Sequence, residues 1–286
     1  MKDNVAAIVV WYNPEADYAR MNIESYISSV GAVCVVDNSD RPLSSDLETY
    51  VADNPKLIYV SLGSNLGIAY ALNVGVRKIE EMGFSWFLTM DQDSQATPYM
   101  VEQLYNFAIS EEIPNIGIVA ARPNTPTRAI KTIKGYSLMD VVITSGNLVS
   151  IQAYKIVGGF VDKLFIDYVD FVFCLAVREA GFAVIQVNNA ILLHSLGHLT
   201  PKSFLGIRMF PTHHSPLRHY YIARNRLYLR QRFKKAFPDY IRIEWKNNRN
   251  MWIKTFLYEK SKWASWKMAL QGRRDFRRGI FGKYQS

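Results

Sequence analysis

Cysteine is nearly absent: Cys34 and Cys174 are the only two in 286 residues, each inside an apolar run, VCVV and FVFCL. That scarcity excludes a small disulfide-stapled fold and predicts two buried thiols in a reducing compartment. Long apolar stretches are missing as well. No run approaches the ~18–20 apolar residues that span a bilayer, and the first one, residues 5–12, stops at Asn13-Pro14 with no small-residue cleavage site behind it. The expectation is a cytoplasmic protein that is not integral to a membrane. Internal repeats and low-complexity linkers are also lacking, so any domain boundary is a soft one.

The last scarcity is local. Residues 202–286 hold only 4 Asp/Glu against 21 Lys/Arg, whereas residues 1–201 hold 21 Asp/Glu against 13 Lys/Arg. Four of the six tryptophans, Trp245, Trp252, Trp263 and Trp266, lie in that basic third. An acidic body followed by a basic, Trp-rich segment predicts a chemical core over 1–200 and a helical extension over 201–286 that meets a polyanion. A nucleic-acid-binding protein is the alternative that such charge raises. The acidic body and the carboxylates at its strand ends argue against it.

What is present is ordinary for a globular protein: 49% hydrophobic and 21% charged residues. Short β-branched runs at 5–11, 32–36, 57–62 and 86–90 read as strands buried on both faces. Helical patterns at 15–29, 44–53, 67–82 and 97–110 follow them. This alternation predicts an α/β fold with a mostly parallel sheet flanked by helices. Further strands are expected at 116–121, 141–144, 183–187 and 191–193, a turn at Ser145-Gly146-Asn147, a helix over 168–181, and helices after Gly197.

In such sheets ligands gather at the carboxyl ends of the strands, so the polar residues there carry the chemistry. Tyr12-Asn13, Asp37-Asn38-Ser39, Ser64-Asn65 and Asp91-Gln92-Asp93 occupy those places. Two carboxylates flanking one residue can converge on a hard divalent cation; a solvated acidic turn has the same signature. Asn65 is a plausible helix cap before Gly67, Ala69 and Ala71, whose small side chains suit either a ligand at a helix N-terminus or close packing of the helix on the sheet. Asp37-Asn38-Ser39 suits a base or ribose, or a plain Asx turn. Asp167 and Asp170 open a helix, where capping and a buried general base are both open readings.

Taken in order, Trp11-Tyr12-Asn13-Pro14, VVDNSD, NLGIAYALNVG, MDQDS, TSGN, FIDYVD and LLHSLG form a set. The chain resembles glycosyltransferase family 2 over roughly residues 5–235, and within it the bacterial rhamnosyltransferases that build O-antigen, capsule or related surface glycans. The resemblance implies the GT-A fold, a Rossmann-like nucleotide-diphospho-sugar transferase architecture, and transfer with inversion. The implied donor is a nucleotide sugar, dTDP-rhamnose first and UDP-sugars as the alternative. The implied acceptor is a hydroxyl of a glycan or lipid-linked oligosaccharide.

Position by position, the resemblance puts Tyr12, Asn13, Asp37 and Asn65 around the nucleotide and Arg224 on the diphosphate side. It puts Asp91 and Asp93 on Mg²⁺ or Mn²⁺ with His194 completing the shell, and Asp170 in the role of general base. Ser145, Gly146, Asn147 and Asp167 fall beside the donor or acceptor sugar. Many relatives carry an acid two positions after the base and an arginine six after it; here those positions are Val172 and Ala176. Arg178 lies two residues further, about 200° away around a helix, so a catalytically weak member that only binds a sugar nucleotide is a further alternative. Basic residues Arg226, Arg230, Lys234 and Lys235, with Trp252, Phe256, Trp263, Trp266 and Leu270, predict peripheral contact with an anionic membrane at the inner face of the plasma membrane. The oligomeric state is left open.

Overall fold

The structure is a computed structural model that describes residues 1–110, 113–124, 131, 133–194, 202–204, 207–209 and 214–285. Its first half follows a strand-helix rhythm: β1 (Val5–Trp11), α1 (Ala16–Glu24), β2 (Ala32–Asp37), α2 (Ser45–Asp53), β3 (Leu57–Ser61), α3 (Ile68–Glu81) and β4 (Trp86–Asp91). Then come β5 (Ser94–Ala96), α4 (Met100–Ala108), β6 (Ile116–Asn124), β7 (Tyr136–Leu138), β8 (Asn147–Ser150), α5 (Ile151–Val157), α6 (Val169–Glu179) and β9 (Ala183–His194). A two-stranded hairpin of β10 (Lys202–Phe204) and β11 (Ile207–Met209) precedes α7 (Pro216–Phe233), α8 (Pro238–Tyr258) and α9 (Lys262–Arg277).

Nine of these strands form one sheet in the order β3-β2-β1-β4-β8-β6-β9-β5, with β7 also pairing β9. The first four are mutually parallel. Every residue of β1 and β2 is buried, as strands covered by helices on both faces must be. The chain runs outward from β1 to β2 to β3, then returns to place β4 on the other side of β1. That reversal is a topological switch point, and it opens a crevice at the carboxyl ends of β1 and β4. Close packing keeps α3 on the sheet: a Cβ on Gly75 would lie 2.6 Å from Ile8 Cγ2 and 3.2 Å from Val36 Cγ2. The two thiols, Cys34 and Cys174, are free and buried.

Three expectations about elements need correction. Residues 141–144 are not a strand; β8 begins at Asn147 and runs antiparallel to both β4 and β6. The apolar run is instead tied to β4 by side chains, with Thr89 donating to the Thr144 carbonyl. The two short strands expected at 183–187 and 191–193 are one strand, β9, bulged where Ala121 pairs Val187 but Arg122 pairs Ile191. Arg122 Nε fills the bulge by donating to the Asn188 carbonyl at 2.9 Å. Finally, the hairpin of β10 and β11 precedes the helices of the basic third; Gly197 lies outside the described residues.

The chain forms two compact units, Met1–Phe165 with Val169–Ser195, and Ile166–Tyr168 with Leu196–Ser286. In the second, Ser215 caps α7 by accepting from the Arg218 amide and Pro216 starts the helix. The center of α7 is wholly buried from His219 to Arg226. Arg224 is 0% exposed. Its Nε donates to Asn225 Oδ1 and one terminal nitrogen to the Gly282 carbonyl. Tyr220, Tyr221 and Phe281 pack their rings on the guanidinium at 5.1–5.3 Å. Most acids of this unit also point inward: Glu244 accepts from Arg226 and Tyr168, and Asp275 from Tyr220.

At the crossing of α7 and α9, a Cβ on Gly272 would lie 2.3 Å from the Tyr220 carbonyl oxygen. Gly272→Ala must therefore push the two helices apart. A loss of about 1–3 kcal/mol is expected for such overpacking, measured as a lower urea midpoint with an unchanged slope.

Candidate active site

The register of the parallel strands sets the site. Val10 pairs Asp91, and Trp11 pairs Asp37, which pairs Ser61. The ends of β4, β1, β2 and β3 thus stand side by side, and each delivers a polar residue to one sheet edge. The loops beyond them are cross-linked. The Tyr12 amide donates to Gln92 Oε1 at 2.7 Å, and Gln92 Nε2 returns a bond to the Tyr12 carbonyl. The Asn13 amide donates to Ser39 Oγ at 2.8 Å. Asn65 Oδ1 accepts from Asn38 Nδ2 and from the Gly67 amide, while the Tyr12 hydroxyl donates to Asp40. Tyr12, Asn13, Asp37 and Asn65 are therefore neighbors in one loop cluster.

Within that cluster Asp37 is buried, and both its oxygens are engaged. Oδ1 accepts from the Ser39 amide and Oδ2 from the Tyr59 hydroxyl at 2.6 Å. Burial first, then the bond to Asp37, pushes the Tyr59 phenol up to about 12. The turn after β2 is thus an Asx turn, locked from the neighboring strand. Asn65 does not cap α3. Gly67 holds the N-cap position at φ +94°, and the Ile68 amide is taken by the Phe165 carbonyl at 2.8 Å. A Cβ on Gly67 would meet the Phe165 backbone at 2.7 Å. The small residues there serve close packing.

Asp91, Asp93 and His194 meet at the other end of the crevice. One ligand atom from each lies within 4.8 Å of the others. The pairing that brings them together is antiparallel: β5 leaves the Asp-Gln-Asp turn and runs against the end of β9, with Ser94 opposite His194. Ser94 Oγ and His194 Nδ1 are 2.7 Å apart, and Asp93 Oδ1 lies 3.8 Å from the same nitrogen. Burial raises the Asp91 carboxyl to about 6, with Asp93 adding to the rise and His194 opposing it. A divalent cation is what two carboxylates and an imidazole in this arrangement fit, since its charge would offset both the burial of Asp91 and the repulsion from Asp93.

The turn at Ser145-Gly146-Asn147 docks on the end of β4. The Asp91 amide donates to Ser145 Oγ at 2.9 Å, and the Gly146 amide to the Thr89 carbonyl at 2.8 Å. Asn147, with Thr89, Thr144 and Cys174, lines a small pocket shared with Asp170. Asn147 Oδ1 is buried there with no hydrogen-bond partner in the described residues. Asp170 sits in the first turn of α6, its Oδ1 accepting from the Phe171 amide. Val172 is buried, and Arg178 pairs with Asp140.

Asp167 and Arg224 belong to the second unit. Asp167 Oδ1 accepts from Arg218 at 3.0–3.1 Å, and Asn225 Nδ2 holds the Ile166 and Asp167 carbonyls. Burial raises the Asp167 carboxyl, with Arg218 opposing. Phe165, Asp167 and Tyr168 all have φ between 63° and 67°, a strained run of the kind held at functional loops. Arg224, expected on the diphosphate side, is committed to the internal partners described above.

Two contributors were not singled out as site residues from the sequence: Ser94, whose hydroxyl lies 2.7 Å from His194 Nδ1, and Asn22, on α1, which donates to the Gln92 carbonyl. Ser94 follows the Asp-Gln-Asp turn directly, whereas nothing near Asn22 in the sequence marks it.

Residues 7–153 match the model of the glycosyl transferase family 2. A dTDP-rhamnosyl transferase, RfbF, from Shigella flexneri is 32% identical over 240 residues, 79% of each chain. The chain belongs to glycosyltransferase family 2. Among solved structures, GalNAc-T7 with UDP, GalNAc and Mn²⁺ superposes with a TM-score of 0.62 at 12% identity, covering 97% of this chain and 56% of that one. S. aureus TarS 1-349 superposes with a TM-score of 0.57 at 12% identity over 96% of this chain and 80% of that one. These likenesses show the GT-A fold for this family 2 transferase. The match to the family model ends before Asp170 and His194; the rhamnosyl relative is the longer comparison.

The raised carboxyl of Asp91 has a sign. In the metal-free protein the folded state holds the proton more tightly than the unfolded chain, so ionization costs stability, increasingly as pH rises through about 6. Asp91→Asn removes that cost. Its metal-free melting temperature should exceed wild type at pH 8, with the difference shrinking as pH falls through about 6 and gone below the unfolded value of 3.8, as read by differential scanning calorimetry with chelator.

Proposed function

We propose that this transferase moves L-rhamnose from dTDP-rhamnose to a hydroxyl of a glycan or lipid-linked oligosaccharide, with inversion at the anomeric carbon. The observation that supports it most is the meeting of Asp91, Asp93 and His194 beside the strand-end loops, in a chain 32% identical to a dTDP-rhamnosyl transferase. Asp91, Asp93 and His194 would hold Mg²⁺ or Mn²⁺. That ion would supply positive charge where negative charge grows on the departing diphosphate.

In this reading Tyr12, Asn13, Asp37 and Asn65 form the wall for the nucleotide. Asp37 acts there by fixing the Ser39 turn, because its oxygens are already engaged. Ser145 sets the backbone of Asp91, and Asn147 offers its unpartnered carbonyl to a sugar hydroxyl or a bound water. Asp170, at the start of α6, takes the proton from the acceptor hydroxyl. The acceptor oxygen forms its bond to the anomeric carbon as the bond from that carbon to the diphosphate oxygen breaks, and dTDP leaves with the electron pair. Asp167 and Arg224 shape the loop before α6 and the core of α7, the former with a carboxylate oxygen still unpartnered among the described residues.

Thermal-shift and calorimetric titration of the purified chain with dTDP-rhamnose and a panel of UDP-sugars, each with Mn²⁺, tests the donor. The largest stabilization is expected for dTDP-rhamnose with metal, and its loss in Asp93→Ala. Asp170→Asn should keep that binding while release of dTDP in the presence of acceptor falls about 10²–10⁴-fold. Near-wild-type turnover in Asp170→Asn sinks the base assignment, and a preference for a UDP-sugar sinks the donor.

A further inference from the structure

The second unit carries an apolar corner where α8 ends and α9 begins. Ile253, Phe256, Leu257, Trp263 and Trp266 are all exposed there, Trp263 at 68%. Their rings form a continuous row. Trp252 lies 5.8 Å from Phe256, Phe256 lies 6.1 Å from Trp263, and Trp263 lies 6.4 Å from Trp266. Two helix ends thus present one aromatic ridge with aliphatic side chains beside it. Exposed rings and aliphatics grouped in this way mark a surface that meets a partner.

The surface charges along the stretch that carries the ridge have one sign. Between residues 245 and 274 stand Lys246, Arg249, Lys254, Lys260, Lys262, Lys267, Arg273 and Arg274, against Glu259 alone. Glu259 is turned inward: it is 7% exposed, with Oε2 at 3.5 Å from Nε2 of the buried His219. No carboxylate of this stretch therefore reaches the surface. Arg226, by contrast, is 9% exposed and paired with Glu244, so it belongs to the core and not to a membrane-facing set.

We infer that this corner docks on an anionic lipid bilayer, with Trp263, Trp266 and Phe256 at the boundary between headgroups and acyl chains and the lysines against lipid phosphates. Tryptophan rings prefer that boundary, lysine stems can lie along it, and each cation adds attraction to an anionic leaflet. A second copy of the chain would bring the same cation-rich stretch against itself. A nucleic acid would satisfy the cations but leave Ile253 and Leu257 without a use. The inference does not rest on the donor or the base proposed above.

Flotation of the full-length protein with phosphatidylcholine vesicles, with and without one third phosphatidylglycerol, tests it. Binding is expected only with phosphatidylglycerol and should weaken at high salt. Trp263→Ser/Trp266→Ser should weaken it on the order of tenfold, and Lys260→Glu/Lys267→Glu should do likewise. All four side chains lie outside the buried core, so melting temperature and circular dichroism should match wild type. Equal partitioning of wild type and the tryptophan variant overturns the inference. So does a dimer in native mass spectrometry that the tryptophan variant abolishes, or salt-sensitive binding to duplex RNA or DNA in place of vesicles.

Discussion

The pairing of Ser94 with His194 joins the carboxylates at the end of β4 to the far end of β9, and the meeting of Asp91, Asp93 and His194 depends on it. Parallel strands alone deliver Asp37 and Asp91 to one edge of the sheet, because their register is fixed by β1 lying between them. A histidine one hundred residues further on has no such guarantee. It arrives because the chain reverses after Asp93 into three residues of strand that run against the far end of β9. The bulge at 188–190 matters for the same reason. It absorbs three residues of β9 against β6, so the strand's register beyond the bulge differs from that before it. Carboxylate repulsion at Asp91 is tolerated because this geometry over-determines the positions of all three side chains.

Polar satisfaction explains the rest of the site better than propensity does. The Thr89, Ser145 and Gly146 bonds hold the turn at 144–147 on the end of β4, with the turn accepting from Thr89 and Asp91 and donating to the Thr89 carbonyl. Asp37 behaves in the same way on the other side of β1. Its carboxylate organizes a turn and, after burial, adds to the rise of the Tyr59 phenol, so its hydrogen-bonding capacity is spent on the backbone and the ring it fixes. In the second unit, Arg224 collects three aromatic rings and a carbonyl of the C-terminal segment, and the acids Glu244 and Asp275 face inward. A unit with so few carboxylates turns most of them inward, while most of its cations other than Arg224 and Arg226 stay at the surface.

The strands β1 to β4 and the helices between them were legible because buried parallel strands are continuous apolar, β-branched-rich runs, and because each gives way to polar residues. The Asp-Gln-Asp turn and His194 were legible as motif positions. Other features had no local signal. β5 is three polar-to-small residues whose strand character comes only from its partner. Residues 141–144 look like a strand but are held by Thr89 and Cys174 contacts that no window of sequence contains. The two halves of β9 read as separate strands because Asn188 and Asn189 interrupt the apolar pattern at the bulge. Gly67 was open between ligand approach and close packing; the nearness of Phe165 decides for packing.

The segment Ile166–Tyr168 is a short visit by the chain to the second unit between two stretches of the first. Arg218, Asn225 and Glu244 grip its acid, its carbonyls and its phenol in turn. The polypeptide therefore crosses between the units three times, not once, and the two are not separable modules in tandem. A fragment ended after β9 would strip the aspartate at 167 of its guanidinium and release two left-handed residues directly ahead of α6. Evolution by swapping one basic extension for another would have to preserve that grip.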